Sequence, residues 1–270
     1  MTSPFADLAR PPLRTAALRR ALVDGDGLWT SLDVVTDTGS TNADLARAAA
    51  GGAPEGSVLV AEHQHAGRGR GDRVWTAPPR SGLAVSALLR PPPRTRPRWG
   101  WLPLLAGVAV ATAVRRVAEV EAVLKWPNDV LLGDRKVGGV LIEVAGDAVI
   151  VGIGLNVSLR SDELPVPSAT SLQLAGAAST DRDPLLRALL REMQSRYVAW
   201  REHAGDPDAS ELAATYRRLC YTLGRDVTVH LPGGATRGGR AVDVDRDGCL
   251  VLAVDGERET LASGDVVHLR

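Results

Sequence analysis

All but two of the 32 basic residues in this chain are arginine. The two lysines, Lys125 and Lys136, stand in the segments KWPND and RKVGG. Asparagine is equally scarce, occurring only at positions 42, 128 and 156. A preference for Arg and Ala explains the scarcity, but not why all five residues fall beside Gly, Ser or Pro. Lysine offers a compact ammonium that a planar guanidinium does not replace, so these positions invite a chemical reading. A second feature is the run AGRGRGDRVW (66–75), with Arg68, Arg70 and Arg73 spaced by glycines and closed by Trp75. Glycine leaves the backbone free until something orders it, and arginines gathered in one loop make a multidentate grip on carboxylate or phosphate.

Taken alone, that run fits an anion-gripping loop, a solvated basic turn or a nucleic-acid arm. Net charge is zero and aromatics are few, which argues against the arm. In KWPNDVLL, Pro127 disfavours helical geometry at Trp126, giving an extended segment with a sharp bend. Lys125 on such a rigid element is placed to meet developing negative charge, unless it is simply a snorkelling lysine beside a turn. KVGGVLIE (136–143) and VGIGLNV (151–157) each set two glycines in an apolar run, which permits close approach of a ligand or another backbone. His63 and His65 could share a strand face and hold a metal; with no third ligand evident, surface or packing roles are the alternative.

Several chemistries are excluded. There is no G-x-x-x-x-G-K-[ST], and glycines at 67, 69 and 71 miss the G-x-G-x-x-G spacing. G-x-S-x-G, H-E-x-x-H and C-x-x-C are absent as well. Cys220 and Cys249 are far apart and form no disulfide framework, so a cytoplasmic location is expected. The N-terminus has no apolar signal region, and the greasy run at 101–114 is too short to span a bilayer.

The elements that must position these residues follow from periodicity. Residues 1–30 predict a short helical lead. SLDVVTDTGSTNADLARAAA passes from strand to helix, with Ser40 or Thr41 as N-cap. Strands at 57–64 and 81–90 flank the Arg-Gly loop, 91–98 is a connector, and an apolar helix covers 102–118. EAVLKWPNDVLL, KVGGVLIEVAG and AVIVGIGLNVSL predict strands of an antiparallel or mixed sheet. Residues 158–182 are loop-like. A helix starts at Asp183-Pro184 and another covers about 208–220. From residue 222, short alternating strands with Gly-rich turns predict a small separate β-barrel.

In this order, STN, AEHQHAGRGRGDRVW, KWPNDV, RKVGGVLIE, GIGLN and a terminal barrel resemble the biotin–protein ligases, from about residue 33 to the C-terminus. The resemblance implies an α+β fold: a mixed β-sheet packed with helices, of the class II aminoacyl-tRNA-synthetase-like biotin/lipoate ligase type, plus a small C-terminal SH3-like β-barrel. It implies a lead at 1–30, a catalytic domain at 31–221 and the barrel at 222–270. The implied activity uses ATP with Mg2+ to adenylate biotin, then passes biotin to a lysine of a carrier domain of an acyl-CoA carboxylase. Lipoate or octanoate transfer on the same fold, and a nucleic-acid-binding module, are the rival readings.

The resemblance also implies roles. Ser40, Thr41, Asn42 and Gln64 hold biotin, with Arg68, Gly69, Arg70 and Lys125 around its carboxylate; Lys125, Arg68 and Arg70 carry the catalysis. Arg73, Trp75, Asn128, Lys136, Gly138, Gly154 and Asn156 lie on the nucleotide side, with Trp75 stacking on adenine and Asn156 bonding its edge. Asp129 is a candidate magnesium contact. A lead of ~30 residues implies a ligase without repressor activity, and neither DNA nor membrane is an expected partner. Asp72 stands where the family's pattern usually has glycine, and its charge is expected to offset one arginine.

Overall fold

The computed structural model describes residues 10–269 apart from 24 and 26. Part of the predicted lead, residues 1–9 together with 24 and 26, therefore lies outside the described residues; within the remainder, Thr15–Leu22 forms helix α1. Its Leu18 and Leu22 enter the core.

Seven strands form one sheet: β1 (Ser31–Val35), β2 (Ser57–Ala61), β3 (Gly82–Leu89), β4 (Ala122–Lys125), β5 (Asp129–Leu132), β6 (Arg135–Ala145) and β7 (Ala148–Asn156). Their order is β1-β2-β3-β7-β6-β5-β4. The β1–β2 pair is parallel and all others are antiparallel, so the sheet is mixed. The stretch EAVLKWPNDVLL becomes two strands, because the Trp126–Pro127 bend reverses the chain and β4 pairs with β5. Strand β2 stops at Ala61, short of the expected residue 64; beyond it only a bridge between Thr38 and Gln64 continues the pairing.

The central strands are nearly all apolar because helices cover both faces. One face packs on α3 (Trp101–Ala118) and α4 (Arg182–Glu202). Helix α3 is apolar up to its last turn, which carries Arg115 and Arg116, and most of it is buried, as befits a core helix. It is the one helix among the described residues long and apolar enough to cross a bilayer. The opposite face packs on α2 (Thr41–Ala50), whose Leu45 and Ala49 meet Leu88 and Ile150.

Helix α5 (Leu212–Leu219) begins four residues later than its pattern suggests, and the 91–98 connector is partly a 3-10 helix, Pro93–Arg98. Past α5 lies a five-stranded antiparallel sheet: β8 (Asp226–His230), β9 (Thr236–Val244), β10 (Leu250–Val254), β11 (Glu257–Leu261) and β12 (Asp265–His268), in the order β11-β10-β9-β8-β12. Trp126, from the β4–β5 bend, seats its indole N–H on the carbonyl of Gly248 in this second sheet at 3.1 Å. Gly100, just before α3, lies so close to the 247–248 turn that a Cβ there would stand 2.2 Å from the Asp247 carbonyl oxygen.

Candidate active site

Alternation along the strands explains why a cavity exists. In β7, Val149, Val151 and Leu155 belong to the main core, whereas Ile150 lies on the α2 face. Period two puts Gly152, Gly154 and Asn156 on that same face. Directly opposite residues share a face, so Ser86 and Gly152, Ala84 and Gly154, and Gly139 and Gly154 lie side by side. Small residues thus clear the middle of the sheet, and a cavity of about 480 Å³ stands over them. That is the size range of a small-molecule site.

One end of the cavity is a polar cluster at the N-terminus of α2. Ser40 caps the helix, its Oγ accepting from the Ala43 N–H at 3.5 Å. Gln64 Oε1 accepts from Thr41 N at 2.8 Å and Thr41 Oγ1 at 3.0 Å. Ser86 Oγ lies 2.7 Å from Thr41 Oγ1 and donates to Asn42 Oδ1 at 2.6 Å. Asn42 Nδ2 in turn donates to Glu143 Oε2 at 2.8 Å. Gly152 makes room for this cluster, since a Cβ there would fall 2.2 Å from Asn42 Oδ1.

The Arg-Gly run forms a short hairpin over the cavity. Gly69 N donates to Arg73 O at 2.7 Å and Trp75 N to Gly67 O at 2.9 Å, with Gly71 at φ +66° in the turn. Arg68 pairs with Glu143 at 3.1 Å. Arg70 donates to the Gly264 carbonyl at 2.6 Å and pairs with Asp265; Arg73 reaches the same carboxylate at 3.0 Å. Burial works against charge on Asp265, but Arg70 and Arg73 outweigh it and hold its carboxyl below the usual range. Asp72 makes no ion pair or hydrogen bond among the described residues. The expected offsetting charge comes instead from Asp265 and Glu143. The indole of Trp75 lies on Gly154, where an added Cβ would stand 2.5 Å from its Cε2.

Lys125 closes β4 opposite Asp129 in register. Burial lowers its pKa; Asp129 and Asp265 favour its charge, while Lys136 and Arg73 oppose it. Lys136 Nζ sits 2.5 Å from Asp129 Oδ1, so this carboxylate already has a cation. Among the described residues no group of three His, Cys, Asp or Glu side chains could hold a metal. Asn156, buried, donates from Nδ2 to the Thr170 carbonyl at 3.0 Å. Asn128 donates from Nδ2 to the Val140 carbonyl at 2.9 Å, which stiffens the bend after Lys125.

Every residue expected at the site lines this one cavity, except Gly138. Gly138 and Gly139 are neighbours on a strand and must face opposite sides. Gly139 faces the cavity, while Gly138 packs against Gly154 O and Leu155. The histidine pair lies apart: His63 Nδ1 and His65 Nδ1 flank Asp37 at 2.6 and 2.9 Å on an exposed edge. Ser86, Glu143, Asp265 and His268 escaped the sequence reading. Ser86 was visible as the single hydroxyl in LAVSALL, and Glu143 as the residue in phase with Gly139; the two C-terminal residues carry no local signal.

Comparison with known proteins agrees with this arrangement. Residues 35–158 match the model of the biotin/lipoate A/B protein ligase family, and residues 222–269 match the biotin protein ligase C-terminal domain. The chain is 46% identical to the biotin–[acetyl-CoA-carboxylase] ligase of Mycobacterium tuberculosis, over 98% of each chain. A biotin protein ligase from Aquifex aeolicus, solved in complex with biotin and ATP, superposes with a TM-score of 0.76 at 29% identity, over 90% of this chain and all of that one. The Leishmania major ligase, solved with biotinyl-5-AMP, gives 0.57 at 25% identity, over 87% and 99%. The chain belongs to the biotin protein ligase family.

Proposed function

We propose that this protein adenylates biotin with ATP and transfers the biotinyl group to a lysine on the carrier domain of an acyl-CoA carboxylase. The observation that carries this reading is the convergence of Arg68, Arg70, Arg73, Lys125 and Lys136 on one cavity that the hydroxyl and amide groups of Ser40, Thr41, Asn42 and Gln64 also line. Such a cavity suits a ligand with an uncharged polar head, an apolar body and a carboxylate that must meet a phosphate.

In the first step a biotin carboxylate oxygen attacks the α-phosphorus of ATP. The bond to the leaving pyrophosphate breaks and a mixed anhydride forms. Two anions approach each other, so fixed cations in a sheltered site lower the barrier; one such donor contributes about 3 kcal/mol. Lys125 and the hairpin arginines have that role, and Thr41, Asn42 and Gln64 orient the head of biotin, with buried Ser86 holding Thr41 and Asn42 from behind. Gln64 spends its carbonyl on Thr41, which leaves its amide free to donate. Trp75 and Asn156 form the adenine side, where Asn156 has its carbonyl oxygen to offer. The anhydride is sensitive to water, and the hairpin over the cavity shelters it. In the second step the acceptor amine attacks the anhydride carbonyl, AMP leaves, and the nitrogen loses a proton.

Lys136 already neutralises one oxygen of Asp129, and among the described residues no further acidic side chains join it in a group that could hold a metal. Magnesium belongs to this scheme only as part of the nucleotide substrate. Lys125→Ala should cut transfer of labelled biotin to a carrier domain by roughly a hundredfold or more with the fold intact by circular dichroism. Near-normal transfer would remove Lys125 from this scheme.

A further inference from the structure

His268 ends β12 in the C-terminal sheet, yet it lines the same cavity as Lys125. Its ring meets Tyr221 edge-on, with centroids 5.2 Å apart, and the Arg225 guanidinium lies 3.7 Å over the Tyr221 ring. Its Nε2 is 3.2 Å from Thr222 Oγ1. That hydroxyl also accepts the backbone N–H of Trp126, the residue after Lys125, at 3.1 Å. Thr222 is fully buried, and its hydroxyl proton has two acceptors within reach, the Cys220 sulfur and His268 Nε2, of which the imidazole nitrogen is the stronger. With Nε2 accepting, the ring proton sits on Nδ1. Nδ1 has no protein partner among the described residues.

The surroundings keep the ring neutral. Burial first, then Lys125 and Arg225, push its pKa down to about 4. A neutral imidazole beside a buried lysine adds a directional donor without adding repulsion.

We propose that His268 is a substrate-contacting residue of the adenylation step, donating its Nδ1–H to the phosphoryl oxygens that Lys125 also faces. The inference rests on the ligase reading and deepens it. The C-terminal sheet then contributes a side chain to the chemistry, and Thr222 fixes at once the tautomer of that side chain and the backbone next to Lys125. A packing role alone would need only the ring.

The test is biotin-dependent ATP–pyrophosphate exchange by the full chain, comparing wild type with His268→Phe and His268→Asn. Phenylalanine keeps a ring against Tyr221 and loses both nitrogens; asparagine keeps a donor near the Nδ1 position. A hydrogen bond to a charged group accounts for a loss of roughly ten- to a hundredfold, so that loss is expected in kcat for His268→Phe. The KM for biotin should be unchanged, and His268→Asn should recover to within a fewfold of wild type. Wild-type exchange kinetics in His268→Phe would overturn the assignment, as would an asparagine variant as impaired as the phenylalanine one. Absence of exchange in the wild type would instead overturn the ligase reading itself.

Discussion

At Gly154 a single missing methyl decides where an indole can lie. Trp75 occupies the space a Cβ would need, so Gly154→Ala must push Trp75 off the sheet. The expected result is a KM for ATP raised about tenfold, equivalent to ~1.4 kcal/mol, with the KM for biotin unchanged; equal effects on both would show that Trp75 does not mark the nucleotide side. His268 yields a pH prediction. Its folded pKa of about 4 lies below the ~6.5 of an unfolded histidine, so the unfolded chain takes up the proton first. The stability this neutral ring contributes is present above pH ~6.5 and lost as pH falls toward 4. His268→Asn should flatten that part of the stability profile in urea titrations. Residue types and short spacings made Lys125, Asn156 and the arginine run legible in the sequence. Their counter-charges were not: Asp265 lies almost two hundred positions from Arg70, and nothing local to GDVVH marks it as a partner.

Among the elements, the hairpin at 67–75 differs most from its expected state. Its glycines predict a loop without fixed structure, but backbone bonds and two carboxylates outside it hold it in place. Asp265→Asn removes the shared counter-charge of Arg70 and Arg73. Amide exchange across 67–75 should then speed up, since local opening is governed by such contacts, while amides of β7 stay as protected as before. Unchanged hairpin protection would show that its own backbone bonds suffice. A second tie lies at the root of the hairpin. Glu62 and Arg182, both almost fully buried, pair at 2.6 Å, and Glu62 Oε1 also accepts the Leu13 N–H at 2.7 Å. Arg182→Met would leave a buried carboxylate unpaired, at a cost of about 3–5 kcal/mol, visible as a large fall in Tm. Glu62 immediately precedes His63 and Gln64, so this pair joins the lead, α4 and the Gln64 end of the cavity.

For the whole molecule, a net charge of zero is approached locally as well. Five cationic side chains line one cavity, and Glu143, Asp265 and Asp129 pair with four of them. Strand periodicity made the mixed sheet legible, and the glycine pairs announced where its surface would be bare. Which glycine of each pair faces the ligand depended on register, and register is set by pairing across β3, β6 and β7 rather than by local sequence. The role of the C-terminal sheet was hidden for the same reason: Asp265, His268 and the Gly248 carbonyl reach the site only through tertiary packing. The central claim is that this cavity joins biotin to AMP. Its most direct test is ATP–pyrophosphate exchange on the purified protein with biotin, lipoate or no acid added. Exchange driven by biotin alone is the predicted result; exchange driven by lipoate, or equal with and without biotin, would contradict it.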